Sequence, residues 1–236
     1  EQRAGGPLLR SLGVRPERLL TTGDDAIELA YTQRAAALGD GLGVNLRLSA
    51  YAAVDEHLVA RLRPLLQSAA QAVAAPMIPV PISTVPGEAD AITIRQLMVG
   101  YPYQPPGADA ELETPLAVIR RIQRCRVMVS GSYHAAVFAL AMGIPAIGLA
   151  RSAYYQDKFL GLADQFGPGC QVVLLDDPNL GAQLTTAIST AWGAAGAVRP
   201  QLLAATAQQV TLSHSAYQQI VELVEARTKR GQQPRP

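Results

Sequence analysis

Val127-Met128-Val129-Ser130-Gly131-Ser132-Tyr133-His134-Ala135 is the stretch on which the reading of this chain turns. A short apolar run suited to a strand enters a turn of three small residues, and the turn opens directly into a helix. Glycine lets a ligand approach the backbone, and Ser130 and Ser132 bring hydroxyl donors. The first amides of the new helix point at the same spot, with the positive end of the helix dipole behind them. Such a strand–turn–helix suits a phosphate or carboxylate. Tyr133 and His134 stand at its mouth, where an imidazole can donate to an anion or move a proton. The plainer role for that histidine is to bond a neighbouring carbonyl.

Working outward, the apolar run from Ala135 to Ala150 is interrupted by Gly143-Ile144-Pro145. A helix to about Met142, a tight turn and a strand over Pro145–Leu149 account for it better than a membrane span. Further strand–helix units flank this centre. Val44–Ser49 alternates as a strand does, and Val54–Ala75 has helical spacing with Asp55 and Glu56 in its first turn. Met77–Ile82 is a strand whose Pro79 and Pro81 suit an edge. Helices follow over Ala89–Val99 and from Pro115 to about Arg124, the latter capped by Thr114. Tyr101–Gly107 between them reads as a loop. Later come a helix over Tyr154–Phe166, a strand over Gln171–Leu175, and two separate helices, Leu180–Trp192 and Gln201–Lys229. Strands alternating with helices predict an α/β fold, a parallel sheet with helices on both faces and ligands at the carboxyl ends of its strands.

The opening segment is less regular. A helix is expected over Pro7–Leu12, a strand around Arg18–Thr22, and a helix from Ala26 capped by Asp24 or Asp25. Ala35–Gly43 reads as a linker or an edge turn. We expect residues 1–40 to close a first domain, 41–230 to form a second, and 231–236 to be a disordered tail. Glu1 in place of Met leads us to expect a chain that begins inside a longer protein.

Composition narrows the function. A net charge of +1 over 236 residues gives the surface no broad attraction to nucleic acid or an anionic membrane. Cys125 and Cys170 are far apart, with no histidine or cysteine cluster of metal-binding spacing, so no metal site is expected. His57 and His214 lie in polar helical surroundings and are expected to face solvent.

Several side chains could serve the cradle. Arg47 follows a strand end and Asn45 shares its face, so both are candidates for holding an anion. Arg151 and Lys158 bracket the helix after the Gly-Ile-Pro strand. Lys158 is three residues after Tyr155 and four after Tyr154, one helical turn from each. Asp24 and Asp25 are candidate general bases, with Asp90 and Glu88 behind them, although helix capping explains aspartates equally well.

Ser130-Gly-Ser-Tyr-His-Ala-Ala-Val-Phe-Ala-Leu-Ala-Met-Gly-Ile-Pro-Ala-Ile147, followed by Tyr154-Tyr-Gln-Asp-Lys158, resembles the signature of the polysaccharide pyruvyl transferase family. Thr22-Gly-Asp-Asp-Ala26 and Gly43-Val-Asn-Leu-Arg47 fit it as well. The resemblance implies the C-terminal half of a two-domain fold like that of GT-B glycosyltransferases, with a Rossmann-like sheet and a last helix that returns to brace the first half. It implies transfer of pyruvate from phosphoenolpyruvate to two hydroxyls of a sugar or lipid-linked saccharide, with no organic cofactor. It further implies cell-wall or exopolysaccharide biosynthesis and a cytoplasmic place, at the inner face of the membrane, by peripheral association. By the same resemblance His134 is catalytic, and the residues from Ser130 to Tyr133 bind substrate with Asn45, Arg47, Arg151, Tyr154, Tyr155 and Lys158. Many members carry an arginine where this chain has Ser132, so either Arg47, Arg95 or Arg151 supplies that charge or this branch takes a different donor. The alternatives are a nucleotide-sugar glycosyltransferase on the same architecture and a non-catalytic carbohydrate-binding module.

Overall fold

The computed structural model describes residues 2–47, 54–83, 90–102 and 114–231. Among these residues five strands form one all-parallel sheet: β1 (Gly41–Asn45), β2 (Met77–Pro79), β3 (Cys125–Ser130), β4 (Ala146–Ala150) and β5 (Cys170–Leu174). Their order across the sheet is β2-β1-β3-β4-β5. The α/β expectation is met, and the proline-bearing β2 is the edge strand, where a missing N–H does least harm. β1 begins at Gly41, so the segment read as a linker ends earlier than expected.

Strand alternation divides the core. Leu42, Val44, Val127, Val129, Ile147, Leu149 and Val173 face one layer, made of α3 (Glu56–Ala72), α4 (Asp90–Met98) and the start of α8 (Leu180–Gly231). Met128, Ala146, Ala150 and Cys170 face the other layer. There lie α2 (Ala26–Thr32), α5 (Pro115–Ile122), α6 (Tyr133–Ala141) and α7 (Ala153–Phe166). Each fully buried Leu or Ile contributes about 1.5–3 kcal/mol. Asp55 caps α3 by accepting from the Leu58 amide at 2.8 Å, and Thr114 caps α5 through the Ala117 amide at 3.3 Å. The short α1 (Gln2–Ser11) packs near α7.

α6 explains the long apolar run. Ala135 to Ala141 are all buried, because α6 has neighbours on every side: α2, α5, α7 and α8. A helix that is apolar all round is a core helix. Gly143 ends it with φ +75, a left-handed conformation that glycine adopts freely. No helix among the described residues is long and apolar enough to cross a membrane.

Two expectations are corrected. No strand forms at Arg18–Thr22: Pro16–Arg18 is a 3-10 turn, and Leu20 is exposed with no ladder to join. The two C-terminal helices are one, α8, 52 residues and roughly 78 Å long at 1.5 Å per residue. Pro200 sits inside it at a cost of about 3 kcal/mol, offset by packing on both sides. Ala195 and Leu202 are fully buried, and Arg199 donates to the carbonyls of Met142 (2.9 Å) and Ala35. α8 therefore starts in one layer, passes the amino edge of the sheet where Arg126 Nε donates to Trp192 O at 3.1 Å, and ends against α2. Glu88, the loop from 103 onward and the tail from 232 lie outside the described residues.

Candidate active site

Sheet order fixes where a ligand goes. The chain lays β2 on one side of β1 and β3 on the other, so the direction of winding reverses between β1 and β3. A crevice opens at that point, outside the carboxyl ends of the strands. Asn45 and Ser130, the last residues of β1 and β3, are register partners there.

Beside Asn45 lies a buried carboxylate. Asp90 has no exposed surface and accepts from Asn45 Nδ2 (2.8 Å), the amides of Ile82 (2.8 Å) and Ser83 (3.0 Å), and Arg47 Nε (2.7 Å). Four donors from two chain segments meet on one group. Asp90 is therefore a structural clamp, not a free base. Arg47, expected to reach into the crevice, has its Nε turned to Asp90 and its side chain one-fifth exposed.

The Ser130–Ser132 turn is closed on itself. Ser130 Oγ accepts from the Ser132 amide at 2.9 Å and donates to the Ser132 carbonyl at 2.8 Å, while the Gly131 amide donates to Asn45 O at 3.0 Å. Ser130 is wholly buried and Ser132 nearly so. The Ser130 hydroxyl, expected to face an anion, thus satisfies the turn itself, as short polar side chains in turns do. What faces outward is His134, with Tyr133 partly exposed beside it; the His134 and Ala135 amides behind them have no carbonyl partner within the helix.

His134 is half exposed, with Nε2 3.8 Å from Asp24 Oδ2. The other Asp24 oxygen, Oδ1, accepts from the Ala26 amide at 2.9 Å. One carboxylate thus starts α2 and faces the imidazole. Asp25 diverges: it accepts from Tyr217 Oη at 2.9 Å and holds that phenol above its ordinary pKa by hydrogen bonding and charge. His134 also stands edge-on to Tyr133, ring centroids 5.5 Å apart.

The Tyr133 ring carries the next member. Lys158 Nζ lies 4.8 Å from the Tyr133 centroid and 4.8 Å from that of Tyr154, and no carboxylate among the described residues is within ion-pair distance of it. Such cation–ring contacts contribute about 0.5–1 kcal/mol each. Its position is set from below. The neighbouring Phe159 is buried flat on Gly148, where a Cβ would come within 2.3 Å of the ring, so β4 and α7 touch closely. Tyr155 packs on the same Phe159, 6.1 Å away, and Tyr154 is exposed.

Arg151 lies apart from this group. Its Nη1 reaches Asp55 at 2.9 Å and its Nε reaches Asp176 at 2.7 Å, joining α3 to the end of β5. These bonds raise the arginine's pKa, and Asp55 is held below its ordinary value, first by the Leu58 amide and then by Arg151. Arg95 is on the exposed face of α4. Arg47 and Arg151 are thus engaged by carboxylates, and Arg95 is turned to solvent. His57 is exposed as expected, and His214 pairs with Glu28 at 2.8 Å on the surface.

Asp24 also borders a cleft of about 940 Å3 between residues 17–25 and the end of α8, lined by Leu20, Tyr217, Ile220 and Leu223 among others. A smaller one of about 180 Å3 adjoins it, with Gln209 in its lining. Neither Gln209 nor Tyr217 was foreseen. Both lie on a helix whose continuity past Pro200 the sequence hid, and neither belongs to a motif.

A family model described as polysaccharide pyruvyl transferase matches residues 7–153. The match takes in Asp24, Asn45, Arg47, the Ser130–His134 segment and Arg151, and stops just short of Tyr154 and Lys158. Neither the curated proteins nor the solved structures gave a match to the chain. With well over half of its residues covered, and the strand–turn–helix carrying His134 inside the match, the chain belongs to the polysaccharide pyruvyl transferase family.

Proposed function

We propose that this chain carries the donor site of an enzyme that moves pyruvate from phosphoenolpyruvate to two hydroxyls of a saccharide, as a cyclic ketal. The observation that carries the reading is the half-exposed imidazole of His134, at the amino end of α6 and 3.8 Å from Asp24. Acid, carboxylate and helix dipole meet at the carboxyl edge of the sheet, with the Lys158 ammonium beside them.

Ketal formation asks for a proton at C3 of the enol ether, a base for the attacking hydroxyl, and fixed positive charge for the phosphate. His134, protonated, gives its proton to C3, so the methylene becomes a methyl and C2 becomes oxocarbenium-like. The first sugar hydroxyl attacks C2, and Asp24 takes its proton. The C2–O bond to phosphate then breaks, with the amides of α6 and Lys158 holding the departing anion. The second hydroxyl closes the ring and its proton leaves with inorganic phosphate. Phosphoenolpyruvate is made in the cytoplasm, which places the reaction on that side of the membrane, with a free or lipid-linked saccharide as acceptor. Arg47 and Arg151 belong to the scaffold in this scheme. We further propose that residues up to about 40 close the first half of a two-domain, GT-B-like enzyme, with the donor site on residues 41–230.

The test is product analysis with the full-length protein. Saccharide-dependent release of phosphate from phosphoenolpyruvate is the expected result. Release of a nucleotide from a sugar nucleotide would replace this reading with a glycosyltransferase, and saccharide binding with neither product would replace it with a binding module.

A further inference from the structure

Gln209 is only 8% exposed, and neither its Oε1 nor its Nε2 meets a hydrogen-bonding partner among the described residues. Burying two unpaired polar atoms costs about 1–3 kcal/mol each, so such an amide is an exception that asks for a reason. It lies in the lining of the 180 Å3 cleft between α2 and α8. Glycine stands against it: a Cβ on Gly23 would come within 2.4 Å of Gln209 Oε1. Any larger residue at position 23 would fill the place where the amide must be met. Two separate features, an amide without a partner and a neighbour without a side chain, meet at the same corner, where the amide atoms are closed off from solvent in this structure.

The surroundings define what could enter. Asp24, Asp25 and Glu28 make the corner acidic, which disfavours a phosphate or carboxylate. No group of three potential ligands among the described residues could hold a metal ion. A hydroxyl both donates and accepts, so a pair of adjacent hydroxyls complements an amide's N–H and C=O together, and carboxylates accept from the rest. The volume equals roughly six waters at ~30 Å3 each, on the scale of a single sugar ring. Tyr217 and Ser213 line this corner and the 940 Å3 cleft alike, so a longer saccharide has room to continue. Asp24 borders both clefts and faces His134.

We infer that the corner between Gly23 and Gln209 is a subsite for one ring of the acceptor saccharide, with the Gln209 amide reading two of its hydroxyls. The inference rests on the pyruvyl-transfer reading for the word acceptor, but not for the binding itself. Admission of the ring separates α2 from α8 enough to expose the amide, and Asp24 is then shared between ring and imidazole.

The experiment is saturation-transfer NMR on the full-length protein, without phosphoenolpyruvate. The probes are the methyl glycosides of glucose, galactose, mannose and N-acetylglucosamine. We expect at least one to bind, and Gln209→Leu to weaken it tenfold or more while the melting temperature holds or rises, since two unpaired polar atoms are removed. Gly23→Ala should also weaken binding, by filling the corner. Undiminished binding in Gln209→Leu, no binding of any probe to the wild type, or a melting temperature that falls along with binding would overturn the subsite. The two readings separate cleanly. Gln209-dependent binding without phosphate release leaves the subsite and removes pyruvyl transfer; transfer with an unchanged acceptor KM in Gln209→Leu does the reverse.

Discussion

Arg47 and Arg151 border the carboxyl edge of the sheet, as do His134 and Lys158, yet the two pairs meet opposite surroundings. Arg47 is bonded to the buried Asp90, and Arg151 is held between Asp55 and Asp176. Lys158 rests between two tyrosine rings, and His134 has one carboxylate at 3.8 Å with half its surface in solvent. A cation already neutralised by close carboxylates fixes loops in place. One that is held by rings, or by a longer contact, keeps its charge for a ligand. In the scheme proposed above, the difference places the arginines in the architecture and the histidine and lysine in the chemistry.

That division can be broken at each member. The largest effect is expected at the clamp. Asp90→Ala takes an acceptor from Arg47, Asn45 and two amides at once, and should destabilise the fold by about 3–5 kcal/mol, as loss of a buried charge partner does. Denaturant unfolding checks this, and a loss under about 1 kcal/mol would mean that Arg47 is not held as described. Next comes His134→Ala, expected to lower turnover at least about a hundredfold with stability little changed; near wild-type turnover would take the imidazole out of the mechanism. Lys158→Met should raise the KM for phosphoenolpyruvate roughly tenfold, a loss of about 1.4 kcal/mol, whereas Arg151→Met should leave that KM within about twofold. The reverse ranking would invert the comparison.

The smallest effect is a pH dependence. The folded value of Asp55 is below its ordinary one, so its stabilisation is present above the unfolded value near ~3.9 and fades as pH falls through the lower, folded value. The stability gap between wild type and Asp55→Asn should hold from pH 7 to about 5 and close below about 4. A gap that closes near pH 6 would place the dependence on another group.

The fold was legible where the pattern is local. Val127–Ile147 announced strand, turn, helix, turn and strand because each boundary carries its own signal, the small residues at 130–132 and Gly143-Ile144-Pro145. The unity of α8 was not, since Pro200 and nearby Gly193 and Gly196 read as a break, while the contacts that hold it run to other layers, from Trp192 to Arg126, from Arg199 to Met142 and from Leu202 to Gly169. The site was legible by residue type but not by direction. Nothing in Ser130-Gly131-Ser132 says that the hydroxyl turns inward, and nothing in Arg47 names Asp90, 43 residues away, as its partner. Asp24 and Asp25 look alike in sequence, and only the fold turns one to His134 and the other to Tyr217.

The central claim is that an anionic donor sits at the first turn of α6. An amide-resolved NMR titration of the full-length protein with phosphoenolpyruvate asks this most directly. The account predicts that the largest shifts fall on the amides of Tyr133, His134 and Ala135, and that they vanish in His134→Ala together with Lys158→Met. Shifts concentrated at Arg47 and Arg151, with the α6 amides unmoved, would contradict it.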